Sequence, residues 1–245
     1  MNIDLTGKTI LVTGGTSTLG SEIVSCLVAE KATVFFTYFE NESRANDLHS
    51  LGARAIQADL RKIEDLDRVK ETLKKESPSL DGLVHNAAGV RDHTVSNLTD
   101  EEFDEVLDLD LTAVFRLTKR FLPLLYKKEG GKIVNIISRA GTHGGFGEAN
   151  YAAAKAGLAA FTKTLAWEVG RKKICVNAVA PGFMMSRMTQ NLPEFVYAKH
   201  KQDSCFDSYT EPAEVAHFVL YLLSDLTKGI TGQIFYIDSR KTKIF

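Results

Sequence analysis

Seven short apolar runs, at Thr9–Val12, Thr33–Tyr38, 53–58, Gly82–His85, 132–137, 174–180 and 233–237, are separated by longer amphipathic stretches. No other feature restricts the fold as much. Runs of this length fit strands buried on both faces, and strands alternating with helix-length segments make βαβ units. Right-handed crossovers then build one parallel sheet with helices on both sides. The expected class is α/β, a doubly wound sheet of about seven parallel strands. A chain of 245 residues, 44% of them hydrophobic, can bury one continuous core. Its five prolines are scattered and no low-complexity stretch interrupts it, so residues 1–245 read as one domain.

Open α/β sheets bind ligands beyond the carboxyl ends of their strands. The first run ends in Thr13-Gly14-Gly15-Thr16-Ser17-Thr18-Leu19-Gly20 and leads into a helix expected to begin near Ser21. Glycine there permits positive φ and close approach of a backbone to a pyrophosphate, which a helix N-terminus attracts. Gly14, Thr16, Ser17, Thr18, Leu19 and Gly20 are therefore candidate contacts of a dinucleotide. Asn86, Ala87, Ala88 and Gly89 close the fourth run and are small enough to pass beneath an adenosine ribose. Asp59, followed by Leu60, suits the adenine amine or, equally, a helix N-cap.

An acidic residue at the end of the second strand would bind the ribose 2′-hydroxyl and repel a 2′-phosphate. Tyr38 stands there instead. The missing carboxylate favours NADP(H), yet Ser17, Tyr38 and Phe39 offer no basic group, so NAD(H) stays open. Arg44, a few residues on, is placed to reach that phosphate, but reads rather as a solvated helix residue.

Ser138 follows the fifth run, with Tyr151 and Lys155 thirteen and seventeen residues further on. Residues at i and i+4 of a helix lie one above the other, so the Lys155 ammonium acts on the Tyr151 hydroxyl. A free tyrosine has a pKa of about 10, and reaching about 7 takes roughly 4 kcal/mol of preferential phenolate stabilisation. A phenol pKa lowered by a desolvated ammonium, helped by the positive ring of an oxidised nicotinamide, is the expectation. The helix 149–158 is rich in alanine, which lets it lie close to a backbone or a flat ligand. Such a layout moves a proton to or from an alcohol oxygen. A surface Tyr–Lys pair arises by chance in many helices, but the neighbouring strand end and glycine loop favour chemistry.

A formal net charge of −1 implies neither nucleic acid nor an anionic membrane as partner. The amino terminus lacks a secretory apolar stretch, and no run is long enough to span a bilayer, so a cytoplasmic location is expected. Cys26, Cys175 and Cys205 are odd in number and lack metal-ligand spacing; they read as reduced thiols, mostly packing, with no disulfide and no metal site. His85 and His143 flank the proposed site, where Tyr151 already fills the acid role.

With these residues assembled, the chain resembles the short-chain dehydrogenase/reductase family, and within it the 3-oxoacyl-(acyl-carrier-protein) reductases. The 13–20 loop, Asn86–Gly89 by position, Ser138, Tyr151-x-x-x-Lys155, Pro181-Gly182 and Ile230-Thr231-Gly232-Gln233 occur in the family's order and spacing. The segments 149–158 and 176–183 are similar to those carrier-dependent reductases in particular. The resemblance implies a Rossmann fold and NADP(H)-dependent reduction of a 3-oxoacyl thioester, either small or bound to acyl carrier protein. Tyr151 would protonate the carbonyl oxygen, Ser138 would hold it, and Lys155 would bind the nicotinamide ribose and lower the tyrosine pKa. Pro181, Gly182 and Phe183 would pass the nicotinamide, with Ser186 in place of the family's Thr. Apart from the resemblance, the stretch 184–210, with a Pro, no strand run and mixed polarity, reads as a mobile insertion where a substrate lid would belong. A homo-oligomer, tetramer or dimer, is implied.

Four departures accompany the match. Thr18 replaces the middle glycine of the loop; Asp110 occupies the place of a catalytic Asn; the basic residue for NADP is missing; and the tail from Ile237 to Phe245 lacks the usual two glycines. A buried Asp110 is expected either to serve through its main chain or to pair with Lys155. The resemblance also suggests Lys127, Lys128, Arg171, Lys172 and Lys173 as a docking face for an acidic carrier protein, against solvated helix ends as the plain alternative. Two other functions stay open: a dehydrogenase of a sugar, polyol or other small carbonyl, and a dinucleotide-binding subunit with weakened catalysis. An enoyl reductase fits less well, because that branch generally spaces its Tyr and Lys by seven.

Overall fold

The computed structural model describes residues 3–241. Seven strands, β1 (Thr9–Val12), β2 (Thr33–Tyr38), β3 (Arg54–Gln57), β4 (Gly82–His85), β5 (Lys132–Ile136), β6 (Cys175–Pro181) and β7 (Ile234–Ile237), form one parallel sheet in the order β3-β2-β1-β4-β5-β6-β7. The order reverses between β1 and β4, which places the switch point beside the glycine loop and Asn86. Every residue of β1, β4 and β5 is buried, as expected for strands covered on both faces.

Alternate side chains of β1 serve opposite cores. Ile10 and Val12 pack with the helix α1 (Thr18–Ala29), whereas Leu11 packs with the other layer. The first layer also receives Ala45 and Leu48 of α2 (Glu42–Ser50) and the apolar face of α9 (Pro212–Leu223). The second holds Leu66, Val69 and Leu73 of α3 (Ile63–Glu76), Leu117 and Phe121 of α5 (Ala113–Leu125), and Leu165 and Val169 of α7 (Ala149–Val169). No helix among the described residues is long and apolar enough to cross a membrane.

Three local features position the site. Thr99 and Glu102 form a capping box that starts α4 (Asp100–Leu107), and one π-helical turn, Asp108–Thr112, joins α4 to α5. That turn carries Asp110 inward, in keeping with the frequent use of π turns at functional sites. A four-residue helix, α6 (Ala140–His143), begins just past Ser138 and lies against α7 so closely that a Cβ on Gly141 would stand 2.7 Å from Ala156 N. Glycine is required there by the neighbouring backbone. The last helix to place is α8 (Glu194–Asp203), which lies within 184–210.

Candidate active site

The first loop folds differently from the sequence expectation. Ser17 is the N-cap of α1, its Oγ accepting from Gly20 N at 3.0 Å, so the helix begins at Thr18 and not at Ser21. A serine cap supplies the start signal that the glycine spacing obscures. Gly14 adopts φ 64°, and a Cβ there would stand 2.8 Å from Ala87 Cα. A Cβ on Gly20 would strike Gly14 O at 2.2 Å. These glycines are thus demanded by the protein's own packing. Thr18, Thr16 and Leu19 complete the turn, Thr18 being exposed at the helix start.

Asn86 fastens this loop to β4. Its Nδ2 donates to Thr13 O at 3.0 Å, Gly14 O at 2.9 Å and Ser17 Oγ at 3.1 Å. The opening amides of α1 have no acceptor within the helix. Together, a helix N-terminus and a small-residue floor fit an anionic pyrophosphate, the chemistry that a dinucleotide brings.

Asp59 is not an N-cap. Arg61 holds both its carboxylate oxygens, Nε to Oδ1 at 2.9 Å and Nη2 to Oδ2 at 3.0 Å, and the bonds to Arg61 keep the acid below the usual carboxylate range. Leu60 beside it is buried. Tyr38 is half-buried at the end of β2, next to the exposed ring of Phe39. Arg44 is exposed on α2, as the sequence reading has it, and its Nη2 donates to Ser21 Oγ at 3.3 Å, so that it leans onto the first turn of α1.

Ser138 lies just beyond the carboxyl end of β5, and its Oγ accepts from Ala140 N at 3.1 Å. Tyr151 and Lys155 lie on the first turns of α7, the Lys155 Nζ 5.4 Å from the centroid of the Tyr151 ring. Lys155 is 2% exposed; its Nζ donates to Ile136 O at 3.2 Å and stands 3.1 Å from Asp110 Oδ2. Asp110 is fully buried, and its Oδ1 accepts from Gly89 N at 2.8 Å. The structure therefore joins all four residues, Ser138, Tyr151, Lys155 and Asp110, in one place.

The protein's own groups act on the phenol in the opposite direction. Burial pushes the Tyr151 phenol above its ordinary value, the Asp110 charge adds to the rise, and Lys155 and the Ser138 hydroxyl only partly oppose it. The chain by itself keeps this phenol protonated. Burial likewise raises Asp110, against the pull of Lys155. Burial works to lower Lys155, but Asp110 and Tyr151 outweigh it and the ammonium is held above its usual value.

Asn150 was not singled out by sequence reasoning. Fully buried, it donates from Nδ2 to Arg91 O at 3.0 Å and to Glu102 O at 3.4 Å, while its Oδ1 accepts from Tyr151 N at 2.7 Å. A buried amide directly before Tyr151 was the available signal. His85 is packed, its Nε2 2.9 Å from Thr118 Oγ1, and burial, with Lys155 nearby, lowers its pKa to about 3. His143 is exposed.

On the far side of the site, Pro181, Gly182 and Phe183 leave β6, and Ser186 Oγ lies 3.3 Å from Thr189 Oγ1. The basic residues considered for docking lie elsewhere. Lys127, Lys128, Arg171, Lys172 and Lys173 precede β5 and β6 at their amino ends, the opposite edge of the sheet from Ser138. Lys128 is paired with Asp81 at 2.9 Å and Lys173 with Glu129 at 2.9 Å. Of the tail, residues 237–241 are described; 242–245 lie outside the described residues. Cys175 is buried and Cys26 packs half-buried against the core, in keeping with thiols that are mostly packing, whereas Cys205 is exposed.

A Rossmann sheet with these groups at its carboxyl edge defines an oxidoreductase of the dinucleotide-binding type. A family model described as Enoyl-(Acyl carrier protein) reductase matches residues 14–239. The chain belongs to the short-chain dehydrogenase/reductase family. It is 34% identical to the 3-oxoacyl-(acyl-carrier-protein) reductase FabG of Aquifex aeolicus over 244 residues, 97% of this chain and 98% of that protein. The FabG of Thermotoga maritima is 35% identical over 240 residues, 96% and 97% of the two chains. Among solved structures, the RhlG/NADP active-site complex of Pseudomonas aeruginosa superposes with a TM-score of 0.91 at 28% identity, covering 98% of each chain.

Proposed function

We propose that the protein is an NADPH-dependent ketoreductase that reduces the keto group of a 3-oxoacyl thioester, carried on acyl carrier protein, with Tyr151 as general acid. The observation that carries this reading is the half-buried Tyr151 phenol beside the buried Lys155 ammonium, at the strand end that bears Ser138. Support for the substrate comes from relatives named 3-oxoacyl-(acyl-carrier-protein) reductase over nearly the whole chain. Support for the cofactor comes from the RhlG complex with NADP and from an actinorhodin polyketide ketoreductase variant with NADPH, 30% identical with a TM-score of 0.88 over 95% of this chain.

The glycine loop, Asn86 to Gly89, Lys155 and the backbone from Pro181 to Ser186 would hold the dinucleotide. Bound there, the reduced nicotinamide supplies a hydride to the substrate's carbonyl carbon. Tyr151 gives its proton to the carbonyl oxygen as charge develops on it, and Ser138 Oγ holds that oxygen by a hydrogen bond. Lys155, held charged by Asp110, stabilises the phenolate that remains. The segment 184–210 serves as the substrate lid. The same reading has the enzyme as a cytoplasmic homo-oligomer.

The test is oxidation of NADPH and NADH against 3-oxoacyl thioesters, free and carrier-bound, and against sugars. Turnover of the thioesters that is abolished by Tyr151→Phe is expected; no oxidation with any compound would overturn the reading. One observation favours a second reading, a dinucleotide-binding subunit with weakened catalysis: the Asp110 carboxylate sits directly on Lys155. Cofactor binding without turnover would select it.

A further inference from the structure

Helix α8 buries none of its ten residues. A helix of that length is marginal in water, and without a buried face it gains little from packing. Its position therefore depends on a few half-buried contacts, Tyr197 and His200 against Phe183, and on what holds its ends. At one side, the His200 ring stacks on Phe183 with centroids 4.0 Å apart, and Thr210 N donates to Phe183 O at 2.9 Å.

The other attachment is the chain's own tail. Cys205 N donates to Ser239 O at 2.7 Å, Lys241 N donates to Asp203 O at 2.8 Å, and Ser204 and Arg240 form an antiparallel bridge. The Ser204 and Ser239 hydroxyls lie 2.7 Å apart, and Ser204 is 2% exposed. One carboxylate organises this edge. Asp238, its side chain 6% exposed, accepts from Arg240 N at 3.0 Å through Oδ1, while its Oδ2 faces Arg240 Nε at 3.2 Å and Arg139 Nη1 at 3.5 Å. Arg139 directly follows Ser138. A Cβ on Gly182 would meet Thr210 Oγ1 at 2.2 Å and Asp238 Oδ1 at 2.7 Å, so lid end, tail and the turn after β6 converge at one point.

We propose that Asp238 is a positioning residue that latches the 184–210 lid, fixing Arg240 so that the tail pairs with residues 203–205 and tying that edge through Arg139 to the strand end carrying Ser138. Its description as a substrate lid rests on the ketoreductase reading; the latch itself does not. Breaking the latch raises the open population of the lid without unfolding the sheet.

The experiment treats the full-length protein with trypsin and follows cleavage after Lys199 and Lys201 by mass spectrometry, comparing Asp238→Asn, Asp238→Glu and Lys241→Pro with wild type. Initial cleavage is expected to rise about fivefold or more in Asp238→Asn and Lys241→Pro, as for loss of a charge-assisted hydrogen bond, with Asp238→Glu restoring most of the protection. In turnover, Asp238→Asn should raise the KM for the carbonyl substrate more than it lowers kcat. Should Asp238→Asn fail to fold, Arg139→Gln takes its place. Unchanged cleavage in both Lys241→Pro and the charge variant overturns the latch; faster cleavage in Lys241→Pro alone overturns the role of Asp238. Absence of turnover in the wild type would overturn the ketoreductase reading and leave the cleavage pattern to decide the latch.

Discussion

Lys155 Nζ lies 3.1 Å from Asp110 Oδ2, and both side chains are sealed from solvent, at 2% and 0% exposure. The pair joins the helix that bears Tyr151 to the π turn before α5. A buried ammonium with a carboxylate partner stays charged, and the same carboxylate helps to keep the nearby phenol protonated.

Reduction needs the protonated phenol, so its rate falls as pH rises through the Tyr151 pKa. Asp110→Asn removes a charge that raises this pKa; the alkaline limb of the pH–rate profile should move to lower pH. An unmoved limb would dismiss the Asp110 field. Asp110→Ala, which leaves a buried ammonium without its partner, should cost about 3–5 kcal/mol of stability, read as a lower midpoint in urea.

His85 must be neutral in the fold, with a pKa lowered from 6.5 to about 3 by burial and then by Lys155. Its contribution is fully present above pH 6.5 and is lost as pH falls towards the folded value, because the unfolded chain takes up the proton first. The loss is on the order of 5 kcal/mol over that window. Urea midpoints measured from pH 7 to pH 4 should fall more steeply in wild type than in His85→Gln. Parallel slopes would count against it.

Arg44 is a basic group held at the first turn of α1 by its bond to Ser21 Oγ. Arg44→Ala should weaken NADPH binding about tenfold, the loss of one charge-assisted hydrogen bond, with little change for NADH. Titration of each cofactor by fluorescence checks this, and equal losses for both would remove Arg44 from phosphate recognition.

Asn150 clamps the loop after β4 and α4 to the residue before Tyr151. Asn150→Ala removes a fully buried amide and takes its bonds from part-buried backbone groups, and should cost about 2–3 kcal/mol. Scanning calorimetry should record a fall of about 4–12 °C in Tm. A shifted Tyr151 should also lower kcat about tenfold or more in protein that remains folded.

The sequence by itself determined the alternation of strands and helices, the glycine loop, and the chain order of Ser138, Tyr151 and Lys155. These follow from local periodicity: a buried strand reads as an apolar run, and four residues make one helical turn. It left Asp59 between adenine and a cap, whereas the fold gives both its oxygens to Arg61. It grouped five basic residues at the ends of two neighbouring helices, and the direction of β5 and β6 places those ends at the opposite edge of the sheet from Ser138. Only tertiary structure decided that Asp110 meets Lys155 across forty-five residues, that the tail pairs with the segment after α8, and that the Tyr151 pKa moves up. Charge–charge distance and burial are sums over groups remote in sequence, and no local period encodes them.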